Sequence, residues 1–93
     1  MVKTKIVFPR SEREAVQYLI FELWNLNGGL TTSKGKGYWV DTASNLHEEK
    51  VTIFESASFE PDKVKEIALK AGSIGNQKAV YIEIDNVPQV LEV

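Results

Sequence analysis

Two amphipathic segments, each flanked by runs of alternating apolar residues, restrict the fold more than any other feature of this sequence. The first segment repeats apolar side chains at the i, i+3, i+4, i+7 spacing of one helix face, at Val16, Leu19, Ile20 and Leu23. The second segment has the same kind of stripe, at Val64, Ile67, Ala68 and Ala71. A helix with one apolar stripe must bury it against another layer. The extended runs around both segments predict that this layer is a sheet.

Signals for helix ends accompany both stripes. Ser11-x-x-Glu14 is a capping box, in which the serine hydroxyl and the glutamate each satisfy an early backbone N–H. The run 25–29, Asn-Leu-Asn-Gly-Gly, predicts the end of the first helix because Asn and Gly tolerate the left-handed conformation. Pro61 suits the first position of the second helix, and Gly72 is predicted to follow its last turn.

Extended runs are predicted over residues 3–8, 30–41, 50–58 and 79–84. Gly35 and Gly37 interrupt the second run. We favour a hairpin turning at 35–36, while one bent strand with a bulge is the alternative. Residues 42–49 are polar and predict a connecting loop, and the tail containing Pro88 is left unassigned.

This order of elements predicts an α+β fold, a ferredoxin-like β-α-β-β-α-β sandwich with an antiparallel sheet and an extra hairpin. Residues 1–93 form its single domain. Both helices cover one sheet face, which leaves the reverse face open. The side chains expected on the open face are Thr52, Phe54, Tyr81, Glu83 and one of Tyr38 and Trp39.

The composition excludes several classes of function. The formal net charge is −2 and the lysines are scattered among acids, which argues against nucleic acid. The run 50–58 also lacks the Lys/Arg/Gly-rich pattern of RNA-recognition strands. The absence of cysteine excludes disulfides and thiolate zinc sites. No apolar stretch approaches the roughly 18 residues of a membrane span. Lys3 and Lys5 interrupt any leader-like run, so we expect a cytoplasmic protein.

Two motifs invite a chemical interpretation and fail on spacing. The glycine-rich run 28–37 has five residues between Gly29 and Gly35, whereas a phosphate-binding loop needs four. Lys34 and Lys36 remain as cations on a turn that could meet an anion or simply be solvated. His47-Glu48-Glu49 resembles half of a metalloprotease signature, but Val51 stands where the second histidine belongs. We expect no metal and no cofactor.

A short pattern along the chain resembles small uncharacterised bacterial and phage proteins. It consists of Gly28-Gly29-Leu30-Thr31, Gly37-Tyr38-Trp39, Glu49 before a strand, and Gln77 with Val80 in the last strand. The resemblance covers roughly residues 11–84 and implies a ferredoxin-like domain encoded by a phage or mobile element. It also implies that Thr31, Trp39, Glu49 and Gln77 lie near the hairpin end of the sheet.

Two functions follow as hypotheses. The first is an interaction module without enzymatic activity that forms a homodimer through its open sheet face, as a phage accessory protein that binds a host protein. The alternative is a small-molecule-binding protein or simple enzyme with its site near Trp39, His47 and Glu49. The candidate ligand- or partner-binding residues are Thr31, Lys34, Lys36, Tyr38, Trp39, His47, Glu49, Phe54, Gln77 and Tyr81. No catalytic constellation is present, so an enzyme is the less favoured form.

Overall fold

The chain forms two helices and one antiparallel sheet of five strands. The computed structural model describes all residues, Met1–Val93. Its elements are β1 (Val2–Pro9), α1 (Arg13–Asn27), β2 (Thr31–Val40), β3 (Leu46–Ser58), α2 (Pro61–Ile74), β4 (Ala79–Ile84) and β5 (Val87–Glu92). The strand order is β2-β3-β1-β4-β5. The ferredoxin-like fold class is therefore confirmed.

Both helices pack on the same sheet face. The strands contribute Ile6, Phe8, Phe54, Val80 and Ile82 to the buried core. The helices contribute Ala15, Leu19, Leu23, Val64, Ala68 and Ala71. The opposite side of the sheet, called the bare face below, has no helix over it, as predicted. Neither α1, with 15 residues, nor α2, with 14, is long and apolar enough to cross a membrane.

The register of β1 against β3 corrects the predicted position of Phe54. Ile6 pairs with Phe54, and paired residues of antiparallel strands project to the same face. Phe54 therefore lies under the helices with 1% of its surface exposed, and Thr52 is buried on the same side. The placement of both on the open face is wrong, because strand periodicity alone does not say which side faces the helices.

Strand β2 is a single regular strand rather than the favoured hairpin. Its pairing with β3 runs without a bulge from Thr31↔Glu55 to Val40↔Leu46. The predicted loop over 42–49 is correspondingly too long, because β3 begins at Leu46. Because β1 ends opposite Val51, the β2–β3 hairpin continues past it as a two-stranded ribbon over residues 36–50, called the arm below.

The helix ends follow the sequence signals only in part. Gly28 is left-handed, with a φ of 81°, and its N–H donates to the Trp24 carbonyl at 2.8 Å, which confirms the end of α1. Pro61 begins α2 as predicted. The capping box is wrong, since Glu12 rather than Ser11 precedes α1 and no side chain caps this end. Gly72 lies inside α2, which ends at Ile74.

The tail forms a strand that the sequence analysis left unassigned. Asp85 and Asn86 both have positive φ, 52° and 66°, and join β4 to β5 in a two-residue hairpin. Pro88 is accommodated because β5 is an edge strand. This hairpin adds a fifth strand to the β-α-β-β-α-β plan, at a place other than the extra hairpin predicted over residues 30–41.

Close packing explains why position 72 is glycine, and substituting it tests the packing of α2 on the sheet. A Cβ at Gly72 would lie 2.8 Å from Val80 Cγ2 and 2.5 Å from Val93 Cγ2. We expect Gly72→Ala to lower the free energy of unfolding by about 1–2 kcal/mol, because overpacking outweighs the better helix propensity of alanine. Urea denaturation measures this.

Gly29→Ala is the matched control, because nothing lies within 4 Å of its Cβ position. Its free energy of unfolding should stay within about 0.5 kcal/mol of the parent. Equal stability of the two variants would contradict the packing described.

Candidate functional site

A groove of about 730 Å³ crosses the bare face at the base of the arm. Its floor consists of the C-terminal end of β1, at Val7 and Pro9, and the paired part of β3, at Val51. One wall belongs to the arm, at Gly37, Trp39 and Glu49, and the other to β4 and β5, at Ala79, Tyr81 and Val90. Eight of the 14 lining residues are apolar, so the groove suits a ligand with a flat apolar part.

Trp39 is the largest side chain in the arm wall, and its neighbours hold it in place. It faces His47 across the β2–β3 pair, and the two rings stack with centroids 4.2 Å apart and planes 13° apart. His47 Nε2 lies 2.9 Å from Asp41 Oδ2. About half of the Trp39 surface remains exposed. A ring that is supported on one side and open to solvent is preorganised for stacking with a ligand.

Asp41 organises the tip of the arm. Its Oδ1 accepts the backbone N–H groups of Ala43 and Asn45, each at 2.9 Å, and these bonds close the turn between β2 and β3. The hydrogen bond from His47, followed by that from the Asn45 N–H, holds the pKa of the Asp41 carboxyl below its ordinary value. The carboxylate therefore stays ionised, and the His47 ring that supports Trp39 stays oriented.

Tyr81 stands in the opposite wall. Its hydroxyl donates to Glu83 Oε2 at 2.9 Å. That hydrogen bond to a carboxylate raises the pKa of the Tyr81 phenol. Tyr81 therefore remains a neutral, half-apolar ring at the groove, with its polar end directed along β4 to Glu83.

The structure brings together one part of the predicted residue set. Tyr38, Trp39, Glu49, Gln77 and Tyr81 line the groove, and His47 stacks on Trp39. The Gln77 amide donates to the Gly75 carbonyl at 2.9 Å, so this side chain also holds the turn between α2 and β4.

The other predicted residues lie elsewhere. Phe54 is buried under the helices. Lys34 and Lys36 pair with Thr52 and Lys50, so they project to the helix side of β2, where Lys36 contacts Glu48 at 3.2 Å. Thr31 is eight residues from Trp39 along β2, about 26 Å away at the strand rise, and does not reach the arm. No three side chains of the His, Asp and Glu types lie close enough together to hold a metal ion.

Sequence reasoning missed the apolar part of the groove. Val90 was missed because β5 was unassigned, although Asp85-Asn86 is a recognisable hairpin turn. Val51 was missed because its strand was assigned the wrong face. Val7 had no predicted place on the open face, and only the register of β1 with β3 and β4 places it next to Val51 and Tyr81.

The sequence matches no protein-family profile and no curated protein. Solved structures do resemble this fold. A phage SAM lyase in complex with S-methyl-5'-thioadenosine superposes with a TM-score of 0.72 at 13% identity, covering 99% of this chain and 88% of that one. CutA1 from Pyrococcus horikoshii OT3 has a TM-score of 0.64 at 11% identity, covering 100% and 83%. A GlnK–ATP complex from B. subtilis has a TM-score of 0.64 at 24% identity, covering 91% and 81%. Identities this low establish the shared fold alone.

The acid titration of Asp41 tests the network that supports Trp39. Because its pKa is lowered, the stabilisation from the ionised carboxylate is fully present above the ordinary aspartate pKa and is lost only as the pH falls through the lowered value. We expect His47→Ala to raise the Asp41 pKa towards its ordinary value, since the bond from His47 is the largest cause of the shift. Carboxyl carbon chemical shifts, followed by NMR against pH, measure it.

Asn45→Ala serves as the control, because it removes only a smaller side-chain contribution and keeps the backbone N–H bond. Its effect on the Asp41 pKa should be smaller. An Asp41 titration that is the same in the parent and in His47→Ala would rule out the described contact.

Proposed function

We propose that this chain binds a small molecule that contains an adenine nucleoside, in the groove at the base of the arm. The observation that carries the proposal is a mostly apolar groove with an aromatic ring in each wall, Trp39 in one and Tyr81 in the other. Two proteins of the same fold support the ligand class, since one is described with S-methyl-5'-thioadenosine and the other with ATP. Both of these compounds contain adenosine.

The adenine ring would stack on Trp39. Stacking of a base on an aromatic side chain contributes about 1–3 kcal/mol, and it needs a ring that does not have to be ordered first. The stack of Trp39 on His47, and the bond of His47 to Asp41, supply that order before the ligand arrives. Val7 and Val51 offer the apolar floor under the base.

Glu49 would take the ribose. Its carboxylate lines the groove where the arm leaves β1, on the same face as Trp39. A carboxylate accepts hydrogen bonds from the vicinal ribose hydroxyls, as acidic residues do in dinucleotide-binding folds. Glu49 and Lys78 are the only groove residues charged at neutral pH, and both are exposed. The groove is thus open to water, which favours binding rather than turnover.

Removing the Trp39 ring tests the proposal directly. We expect Trp39→Ala to weaken adenosine binding by about tenfold or more, because a stacked base loses its platform. Isothermal titration calorimetry with adenosine, S-methyl-5'-thioadenosine and ATP measures this. Trp39→Phe should restore most of the affinity.

Trp24→Ala is the matched control, since Trp24 is comparably exposed but lies on α1. In Trp24→Phe, Trp39 is the only remaining tryptophan, and its fluorescence should be quenched as adenosine is added. Absence of binding by all three compounds, or equal loss in the Trp39→Ala and Trp24→Ala variants, would refute the site.

Self-association through the bare face is a second candidate function. Val90 is 67% exposed on this face, beside Tyr81 and across the groove from Trp39. Burying roughly 500 Å² of apolar surface per chain would contribute about 12 kcal/mol before the entropy of association is subtracted. A homodimer would then cover the groove with a second copy. We also propose that a phage or mobile element encodes the chain, which the phage SAM lyase of like fold supports. Binding of a host protein is a further proposal, which rests on the exposed bare face alone.

A charged side chain on the bare face tests the homodimer. We expect the chain to sediment at about twice its mass of 10.5 kDa at tens of micromolar, and Val90→Asp to give a monomer because it buries a charge in the interface. Val87→Asp is the control, because Val87 is 58% exposed but projects to the helix side of β5. A parent protein that sediments as a monomer defeats the dimer and leaves the ligand proposal intact.

A further inference from the structure

A second cavity lies on the helix side of the sheet, at the same end as the groove. It has a volume of about 450 Å³ and is lined by Arg10, Ser11, Arg13, Glu49 and Lys50. Three cations therefore meet one carboxylate and one hydroxyl. The cavity forms where the chain leaves β1 and turns into α1, and the Arg10 N–H donates to the Lys50 carbonyl at 2.9 Å to join the two segments.

The cations of this cavity outnumber its one carboxylate, Glu49, and form no ion pair within the chain. The ion pairs of the molecule are Lys3–Glu55, Lys36–Glu48, His47–Asp41 and Lys63–Glu60. Arg10, Arg13 and Lys50 take part in none of them. Arg13 is also the first residue of α1, where a cation is disfavoured by the positive end of the helix dipole. A bound anion would relieve both repulsions.

Arg10 is built into the cavity wall. Its Nη2 donates to the Gly35 carbonyl at 3.2 Å and to the Val51 carbonyl at 3.0 Å, which ties the guanidinium to the base of the arm. Its Nε is buried and has no hydrogen-bond partner. The guanidinium thus holds a fixed position while its charge and part of its donor capacity stay unused. Ser11, which caps no N–H of α1, adds an exposed hydroxyl to the wall.

We propose that this basic cavity receives the phosphate chain of an adenine nucleotide whose base occupies the groove. The inference rests on the proposed function and narrows its ligand class from nucleosides to nucleoside phosphates. Glu49 lines both the groove and the cavity. β1 ends at Pro9 and the chain bonds to β3 for the last time at Lys50, so no strand pairs with the outer edge of β3 from Glu49 towards the tip of the arm. A ligand can therefore pass from Trp39, beside Glu49, to Arg13 and Lys50.

The charges of the lining residues decide where the ribose and the phosphates of the nucleotide lie. The carboxylate of Glu49 repels phosphate and accepts hydrogen bonds from hydroxyl groups. The ribose therefore belongs beside Glu49, and the phosphates belong farther into the basic cavity. Arg10, Arg13 and Lys50 then supply the charge-assisted hydrogen bonds that phosphate oxygens form with guanidinium and ammonium groups.

Calorimetric titration with ATP, adenosine and tripolyphosphate tests the proposal on the full chain. We expect ATP to bind about tenfold more tightly than adenosine, in line with at least one added charge-assisted contact. Lys50→Gln and Arg13→Gln each remove the positive charge of an exposed side chain. Each should weaken ATP binding about five- to tenfold while leaving adenosine binding unchanged. Lys63→Gln, at the start of α2, removes a charge away from the cavity and should change neither.

The outcomes separate the two proposals. Equal affinity for ATP and adenosine, with no effect of Lys50→Gln or Arg13→Gln, overturns the phosphate site and leaves the nucleoside groove standing. Tripolyphosphate binding that these two variants abolish, together with no adenosine binding, overturns the groove and supports the anion site alone. Equal weakening of ATP binding by Lys63→Gln and Lys50→Gln would show a general charge effect and would also overturn the phosphate site. Failure of both ATP and tripolyphosphate to bind would overturn it as well.

Discussion

The pairing of β1 with β3 is the contact on which the rest of this structure depends. The match of Ile6 with Phe54 and of Phe8 with Thr52 decides which side of the sheet meets the helices. A shift of one residue would exchange the two faces of β3, placing Val51 and Ile53 under the helices and Phe54 in the open. The same pairing puts Val51 beside Val7 and Pro9, where it forms the floor of the groove. The register of β1 with β3 thus decides both which side chains form the core and which side chains line the groove.

Unequal strand lengths then create the functional end of the molecule. Strand β3 has 13 residues and β1 has eight, so the sheet narrows to two strands where β1 ends. A two-stranded ribbon in water is weakly stable by itself. Here Asp41 closes the turn of the arm, and the Trp39–His47 stack joins its two strands. At the base of the arm, the Arg10 side chain donates to the carbonyls of Gly35 and Val51. The arm is held from both ends, which is what a wall of a binding site requires.

Several local features and the fold class could be predicted from the sequence, whereas the facing and register of individual strands could not. The helix stripes, the left-handed Gly28 and Pro61 at the start of α2 depend on neighbours within one turn, and they were predicted. The face of Phe54 depends on a partner 48 residues away, at Ile6, and was assigned incorrectly. Gly35 and Gly37 suggested a turn, yet they pair in register with Val51 and Glu49, so these glycines mark no change of direction in β2. Within the site, Trp39, Glu49 and Tyr81 were identified as candidates by type, and their convergence needed the register.

The same distinction applies to charge. A net charge of −2 argued against nucleic acid, but composition averages over the whole surface and does not describe one local spot. Binding depends instead on the charges within a few ångströms of the ligand, where water screens them least. Arg10 and Lys50 are 40 positions apart and become neighbours only through the bond between their backbones at the end of β1. The acids that balance the net charge lie elsewhere: Glu55 and Glu48 pair with Lys3 and Lys36, and Asp41 is occupied by His47. An acidic chain can in this way keep one basic cavity, because several of its carboxylates pair with distant cations and Glu49 is the only one that lines the cavity.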